Sequence, residues 1–471
     1  MARTVDVAET IDAERISPYQ CLIAYLAWLT LFLDGVDNQS IAYVATALTA
    51  EWKLPRGALG PAFAAGVLGV ALGALVIGPL ADRFGRKLVT VATVVYVAVF
   101  SLVVTQTDGI AALLTPVIPG ASNLNVLTVV RFITGLGLGA VVPLGVVIAN
   151  EFAPKRRRGA MVTLMGCGYA MGSASGGVLS SILIPAFGWR SQFYTACGMT
   201  LLMALMLALW LPESIRLLTL QKRTAEIIAI LRKINPALSF SSDTDFVLRQ
   251  EAREASAGKL RPARLFMEGR APTTALIWLC FFMNLLALNY LNNWLPTLTA
   301  EAGLVQGQAN VAASFLQFGG MAGVISLGFL SDRFGFLPVL GASFGFGGLF
   351  IGAIGWTGAD FYALSAVIFA SGFCNIGTQI TLAAFTATQY PTDIRSTGVS
   401  WAHGVARIGS IVSVLMAGTL LALHWPLETM YFLVAIPMFF GCVWILLLAN
   451  VRRAGVSEGA KPAEAGRRAI A

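Results

Sequence analysis

Apolar runs of about 20 residues recur along this 471-residue chain, each parted from the next by a short polar stretch. A helix rises 1.5 Å per residue, so a run of that length crosses a hydrocarbon core of roughly 30 Å. Twelve runs can be placed, near 19–48, 58–80, 87–106, 124–150, 159–184, 189–211, 272–297, 309–329, 337–357, 361–386, 397–423 and 427–450. The pattern predicts an all-α membrane protein with twelve transmembrane helices. The first run is interrupted by Asp34 and Asp37 and is followed by further spans rather than by a small-residue cleavage site, so it reads as a retained helix and not a signal peptide.

The runs fall six and six about a polar stretch, which is the hydropathy of a duplicated bundle. The expected organisation is an N-terminal tail (1–18), a six-helix bundle (19–211), a linker with short amphipathic helices near the membrane surface (212–271), a second six-helix bundle (272–450) and a C-terminal tail (451–471). Local sequence repeats across the halves. GPLADRFGRK at 78–87 returns as GFLSDRFGF at 328–336, each joining the second and third spans of its half. EFAPKRRRG at 151–159 and QYPTDIRSTG at 389–398 join the fourth and fifth spans, with Arg158 and Arg395 each four residues after a proline.

Composition agrees: 57% of residues are hydrophobic and 12% charged, against roughly a quarter charged in soluble domains. The net charge of +8 would fit a nucleic-acid partner, but the cations are sided. Placing alternate connections together gathers Arg83, Arg86, Lys87, the run from Lys155 to Arg158, the stretch from Arg216 to Arg270, Arg333, Arg395 and the tail from Arg452 to Arg468. Lys53, Arg56 and Arg190 remain opposite. The positive-inside rule then puts both termini and the linker in the cytoplasm and accounts for the cations without nucleic acid. The six cysteines lie within the apolar runs, with no CxxC pair and no metal-like spacing to histidine, and read as packing residues; no metal or other cofactor is expected.

A charge at mid-membrane costs roughly 2.5–3.5 kcal/mol, so each one is a candidate for function. Asp34 and Asp37 share one helical face, extended by Asn38. Two carboxylates so close do not both ionise readily, so one can hold a proton near neutral pH; the competing reading is a capping or packing role at Gly35. Arg131 precedes Gly135, Gly137 and Gly139, which admit a neighbouring helix closely. Its charge must meet an aspartate, backbone carbonyls or an anionic substrate, and a static ion pair is the bland alternative. On the eleventh span Ser400, His403, Arg407 and Ser410 form one polar stripe, and Arg407 suits a carboxylate through two parallel bonds. The seventh span ends with Asn289, Tyr290, Asn293 and Trp294: amides that need partners and rings able to stack on a planar ligand, or else an interfacial aromatic belt. Gln317, Asn375, Gln379, Tyr169 and Trp401 are further candidates to line a cavity, or packing residues.

Gly78, Leu80, Ala81, Asp82, Arg83, Gly85, Arg86 and Lys87 match the hallmark loop of the major facilitator superfamily, and the resemblance covers essentially the whole chain. Physically, Gly78 would permit close helix contact, Gly85 a tight turn, and Asp82 can accept bonds from an arginine or a helix end. Within the superfamily, D-G-V-D at 34–37 resembles the first-span signature of the aromatic acid:proton symporter family. Arg131 and Glu151 match the acid and base positions of its fourth span, Asp82 and Asp332 its two loops, Arg395 and Arg407 its late arginines, and W-L-P-T-L at 294–298 its seventh-span ending. Family members often carry a histidine in the loop between spans eight and nine; S-D-R-F-G-F-L-P has none.

The resemblance implies two pseudo-symmetric six-helix bundles in a bacterial inner membrane, with a complete pathway in one chain functional as a monomer. It implies import of an aromatic carboxylate with protons by alternating access. Proton coupling would fall to Asp34, Asp37, Arg131 and Glu151, substrate to the polar residues of the fifth, seventh, eighth, tenth and eleventh spans, and gating to Gly78, Asp82, Arg83, Gly85, Arg86, Asp332, Arg333 and Arg395. A proton-coupled antiporter exporting drugs or other organic ions is the first alternative. Such proteins usually carry a Gly-Pro pair in the fifth span, where 168–177 here has the glycines without the proline. A membrane enzyme or non-transporting sensor is the second, disfavoured because no P-loop, HExxH, GxSxG or CxxC occurs.

Overall fold

The computed structural model describes residues 4–13, 16–116, 122–236, 238, 240, 244–247, 262–267, 269–391 and 394–468. Strand β1 (Thr4–Asp6) and helix α1 (Val7–Ala13) precede α2 (Pro18–Glu51), α3 (Gly60–Phe84), α4 (Arg86–Val104), the short α5 (Thr107–Leu114), α6 (Asn123–Phe152), α7 (Lys155–Phe187) and α8 (Arg190–Trp210). Helices α9 (Ile215–Leu220) and α10 (Thr224–Ile234), strand β2 (Asp245–Val247) and a 3-10 turn (Pro262–Phe266) follow. Then come α11 (Ala271–Glu301), α12 (Gln306–Phe334), α13 (Phe336–Ile354), α14 (Phe361–Gln389), α15 (Arg395–Ala422) and α16 (Leu427–Arg468). Twelve helices among the described residues are long and apolar enough to span a membrane. Their outer faces are apolar: Leu75 and Phe329 are each 72% exposed, which suits lipid and not water.

Local chemistry sets the helix ends. At the start of α2, the Ser17 hydroxyl accepts from the Gln20 amide while the Gln20 side chain accepts from the Ser17 amide, with Pro18 at the first helical position. Gln20 also donates to the Phe152 carbonyl at 2.8 Å, tying that end to α6. The turns after α3 and α12 use Gly85 at φ +104° and Gly335 at φ +86°, a region closed to most side chains. At both, the arginine two residues earlier lies over the ring of the following phenylalanine, Arg83 on Phe84 at 5.3 Å and Arg333 on Phe334 at 5.4 Å.

The chain divides into two compact units, residues 1–258 with 305–314 and residues 259–304 with 315–471. Lipid supplies no hydrophobic drive between helices, so close approach at small residues has to bind them. In unit 1, a Cβ on Gly69 would stand 2.2 Å from the Phe132 carbonyl oxygen and one on Gly172 1.7 Å from that of Phe32, so α3 lies against α6 and α2 against α7. In unit 2, Gly319 stands likewise 1.9 Å from the Phe369 carbonyl and Gly409 2.7 Å from that of Phe282, joining α12 to α14 and α11 to α15. The same pairs, second with fourth span and first with fifth, are therefore built twice.

The linker holds more than helices. β1 and β2 pair in parallel, Val5 opposite Phe246, stitching the N-terminal tail to the linker. α10 is the amphipathic helix expected in the linker, and it buries Ile227, Ile230, Leu231 and Ile234 in a cluster with Val7, Ile11, Ile23 and Phe152, so its apolar face packs within unit 1. The end of the charged run at Arg253 and the Gly/Ser/Ala/Pro passage fall largely within 248–261, outside the described residues, as do the side chains of Lys155, Arg158 and everything from 451 on.

Candidate functional site

In unit 1, Asp37 is 1% exposed and the Ser101 hydroxyl of α4 stands 2.7 and 2.8 Å from its two carboxylate oxygens. Arg131 of α6, 3% exposed, interacts electrostatically with Asp37, and its Nε and Nη1 are buried without a hydrogen-bond partner. Gly66 of α3 lies against the guanidinium, a Cβ there standing at ordinary contact distance, 3.5 Å, from Nη2. A guanidinium keeps its charge, so a buried Arg131 needs a nearby anion, and Asp37 supplies it whenever it is ionised. Asp34, one turn earlier, lines a cavity of about 10 Å³ with Thr30 of the same helix and Thr200 of α8. On the next stretch of α2, Asn38 donates to the Tyr169 hydroxyl of α7 at 2.7 Å.

Glu151 does not join this group. It lies 20 residues after Arg131 on α6, roughly 30 Å along the axis. There it accepts from Arg86 and, at 2.9 Å, from the Ser214 hydroxyl. Arg86 also reaches Asp82 at 3.2 Å, but Asp82 is 60% exposed and Glu151 only 15%, so Glu151 is the stronger partner. Glu213, which the sequence reading passed over, accepts from the amides of Arg86 at 2.9 Å, Lys87 at 3.1 Å and Ser214 at 2.9 Å. It caps α4, whose preceding Gly85 has no side chain to do so. A carboxylate straight after the sixth span was the signal available. Gly78 differs from expectation: a Cβ there would meet nothing within 4 Å, so no close helix contact requires a glycine.

In unit 2, Arg407 is half-buried on α15 and interacts electrostatically with His403, whose ring packs edge-on against Phe281 at 4.7 Å. Asn289 donates to the Ser410 hydroxyl at 2.9 Å and so meets the polar stripe of the eleventh span, whereas Asn293 donates to the Asn289 carbonyl of its own helix. Gln317 donates to Asn292 at 3.0 Å, and Asn284 to the Asn375 side chain at 2.9 Å. Asn284 and Asn292 went unnoticed in the sequence, although both continue the run of asparagines on one span. Gln379 is half-buried.

The aromatic candidates separate. Tyr290 and Trp294 are 0% and 1% exposed, with the Trp294 indole donating to the Val414 carbonyl, so both pack within the bundle and present no ring for stacking. Trp401 is 45% exposed and stacks on Trp278 at 6.1 Å. The loop residues Asp332, Arg333 and Arg395 are exposed. Tyr390, between α14 and α15, donates to Thr274; burial pushes its hydroxyl above the ordinary value against the opposing pull of that bond and of Arg270.

The family model described as Major Facilitator Superfamily matches residues 27–272 and 277–471. The chain belongs to the major facilitator superfamily. It is 35% identical to the 4-hydroxybenzoate transporter PcaK of Pseudomonas putida over 96% of this chain and 98% of that one. It is 36% identical to the gallate transporter of Pseudomonas putida, over 95% and 96%, and 30% identical to the benzoate transport protein of Acinetobacter baylyi, over 98% and 96%. Among solved structures, the xylose transporter XylE from E. coli superposes with a TM-score of 0.67 over 91% of this chain and 98% of that chain, at 17% identity, which shows the shared fold. This superfamily member is thus a multi-pass membrane transporter and not an enzyme, built as the twelve-helix double bundle that the hydropathy pattern predicts.

Proposed function

We propose that this transporter imports an aromatic carboxylate of the benzoate or hydroxybenzoate class with protons, by alternating access. The observation that carries the substrate class is the end-to-end identity to transporters of 4-hydroxybenzoate, gallate and benzoate. Proton coupling is assigned to Asp37: a buried carboxylate beside a permanent cation, with a hydroxyl on both oxygens, is held in a site that can bind and release one proton. Ser101 serves both states, donating to the carboxylate and accepting from the acid. Arg131 is the fixed counter-charge, and Asp34 belongs with Asp37.

Anion recognition is assigned to Arg407 with its neighbour His403, and Asn289, Asn293, Asn292 and Gln317 are assigned as further polar groups of the same unit. Glu151, Asp82, Arg83, Gly85 and Arg86 act as a loop latch, with Asp332, Arg333 and Arg395 as the counterparts in the second half. The sided cations support cytoplasmic termini in a bacterial inner membrane. Only a difference in affinity of proton and substrate for the two access states can drive uptake, and 100 mV supplies about 2.3 kcal/mol per charge moved.

The test is uptake of labelled benzoate, 4-hydroxybenzoate and gallate into energised vesicles, with and without an imposed pH gradient. Accumulation of none of them refutes the substrate class. Asp37→Asn is expected to abolish gradient-driven accumulation, and full retention removes Asp37 from the proton path. Arg407→Lys replaces a planar fork by a point charge and is expected to weaken binding about tenfold, one bidentate bond's worth; unchanged affinity argues against a two-point carboxylate site.

A further inference from the structure

Unit 1 takes one short piece from far along the chain. Helix α12 begins inside it, with residues 305–314, and passes into unit 2 at Phe315. With the termini cytoplasmic, as the sided cations support, the start of α12 and the ends of α2 and α7 all lie on the outer side. There Asn310, 1% exposed, donates from its side-chain nitrogen to the Tyr43 carbonyl of α2 at 3.1 Å and to the Ser180 hydroxyl of α7 at 2.9 Å. Glycines set the depth of this seat: a Cβ on Gly177 of α7 would stand 2.7 Å from the Asn310 carbonyl oxygen, and one on Gly307 of α12 3.5 Å from that of Ser181. The Tyr43 hydroxyl donates to the Ser173 carbonyl at 2.8 Å and so holds the two walls of the notch, α2 and α7, together.

The chemistry of the seat is that of a joint made to part. Asn310 leaves its Oδ1 buried without a hydrogen-bond partner among the described residues, so the two bonds it gains are offset by an acceptor it strands. On the other side little is lost when it goes. Tyr43 lies inside α2, whose own ladder keeps that carbonyl paired, and the Ser180 hydroxyl keeps its bond to the Gly177 carbonyl at 2.8 Å. We infer that the start of α12 is a release catch, seated by Asn310 in the notch between α2 and α7 in one access state and out of it in the other, so that undocking is a step of the transport cycle. The inference rests on the alternating-access reading above.

The test uses the full chain in proteoliposomes. A Cβ on Gly307 would stand 3.7 Å from that of Ser181, the separation found in disulfides, so the double variant Gly307→Cys with Ser181→Cys can be locked by an oxidant and freed by a reductant. Uptake of labelled 4-hydroxybenzoate is expected to stop on oxidation and return on reduction, with neither single variant responding. A disulfide that does not form overturns the docking, and full uptake by the locked protein overturns the catch. The second assay needs no substrate. Ser314 is 0% exposed, so in Ser314→Cys a membrane-impermeant maleimide added outside reacts only with the undocked helix, and the chain's own six cysteines supply the blank. Asn310→Asp keeps the shape and turns the donor into an acceptor facing two oxygens; added to that background, it is expected to speed labelling about tenfold or more. An unchanged rate overturns the catch. Should that variant fail to fold, Gly177→Ala decides in its place, since its Cβ pushes α12 off α7 with the same expected gain. A wild-type chain that takes up no aromatic acid refutes the substrate reading alone, and the labelling then decides the catch.

Discussion

Replacing Glu213 tests whether one carboxylate holds the loop after α3. The first amides of a helix have no acceptor within it, and at α4 the preceding glycine offers no cap. Among the described residues Glu213 takes the amides of Arg86 and Lys87, at 2.9 and 3.1 Å, and it also takes that of Ser214 at 2.9 Å. Hydrogen bonds to a charged group contribute about 1.5–3 kcal/mol each and neutral ones about 0.5–1.5 kcal/mol. Glu213 is half-buried, so solvent screens part of the charge. Glu213→Gln keeps an acceptor and is expected to cost about 1–2 kcal/mol, mostly charge against the helix N-terminus. Glu213→Ala removes the acceptor and is expected to cost about 2–3 kcal/mol, or roughly 30- to 150-fold in the opening equilibrium of the turn. Amide hydrogen exchange reads this directly, with Arg86 and Lys87 exchanging faster by that factor and Val89, bonded to the Gly85 carbonyl, changing little. Unchanged exchange at Arg86 and Lys87 in Glu213→Ala would refute the cap.

Two further contrasts separate packing from exposure. Gly69→Val must displace the Phe132 backbone, which a Cβ would approach to 2.2 Å, and is expected to cost about 1–3 kcal/mol or more, whereas Gly78→Ala enters open space and is expected to leave the melting temperature in detergent unchanged. Trp294→Phe loses the indole bond to Val414 and empties part of a fully buried site, costing about 1–3 kcal/mol, while Trp401→Phe, on an exposed ring, should stay within about 0.5 kcal/mol. Equal effects at the two tryptophans, read by thermal unfolding, would contradict their separation into core and surface.

Span number and duplication were legible because both follow from rules the bilayer enforces on every residue. A helix must be long and apolar, and two close-packed helices must present small residues to each other. The hallmark loop was legible in part: Gly85 and Asp82 do what their chemistry predicts, and Gly78 does not, because a sequence pattern records a residue type without saying which neighbour demands it. The strands at Thr4–Asp6 and Asp245–Val247 were illegible, since three-residue partners 241 positions apart carry no periodicity.

Among the site residues the dividing line is reach. For Arg131 the sequence leaves an aspartate, backbone carbonyls or an anionic substrate open as the partner, because a charge in hydrocarbon must meet something, and Asp37 is the anion that interacts with it. Glu151 joins them only through the family resemblance, which matches both to the fourth span, and a separation of 20 residues is enough to carry it to the loop, where Arg86 and Ser214 meet it. Tyr290 and Trp294 show the converse error. Ring chemistry suits stacking, but whether a ring faces a ligand or the next helix depends on rotation about the helix axis, which asparagines at 289 and 293 on the same turns do not fix. Ser101 is the instructive omission. A lone hydroxyl in an apolar third span signals little by itself, because it can return its proton to its own backbone. It becomes significant only when Asp37 is known to lie opposite, so the residue that steadies the proton site is one that no pattern along a single helix could reveal.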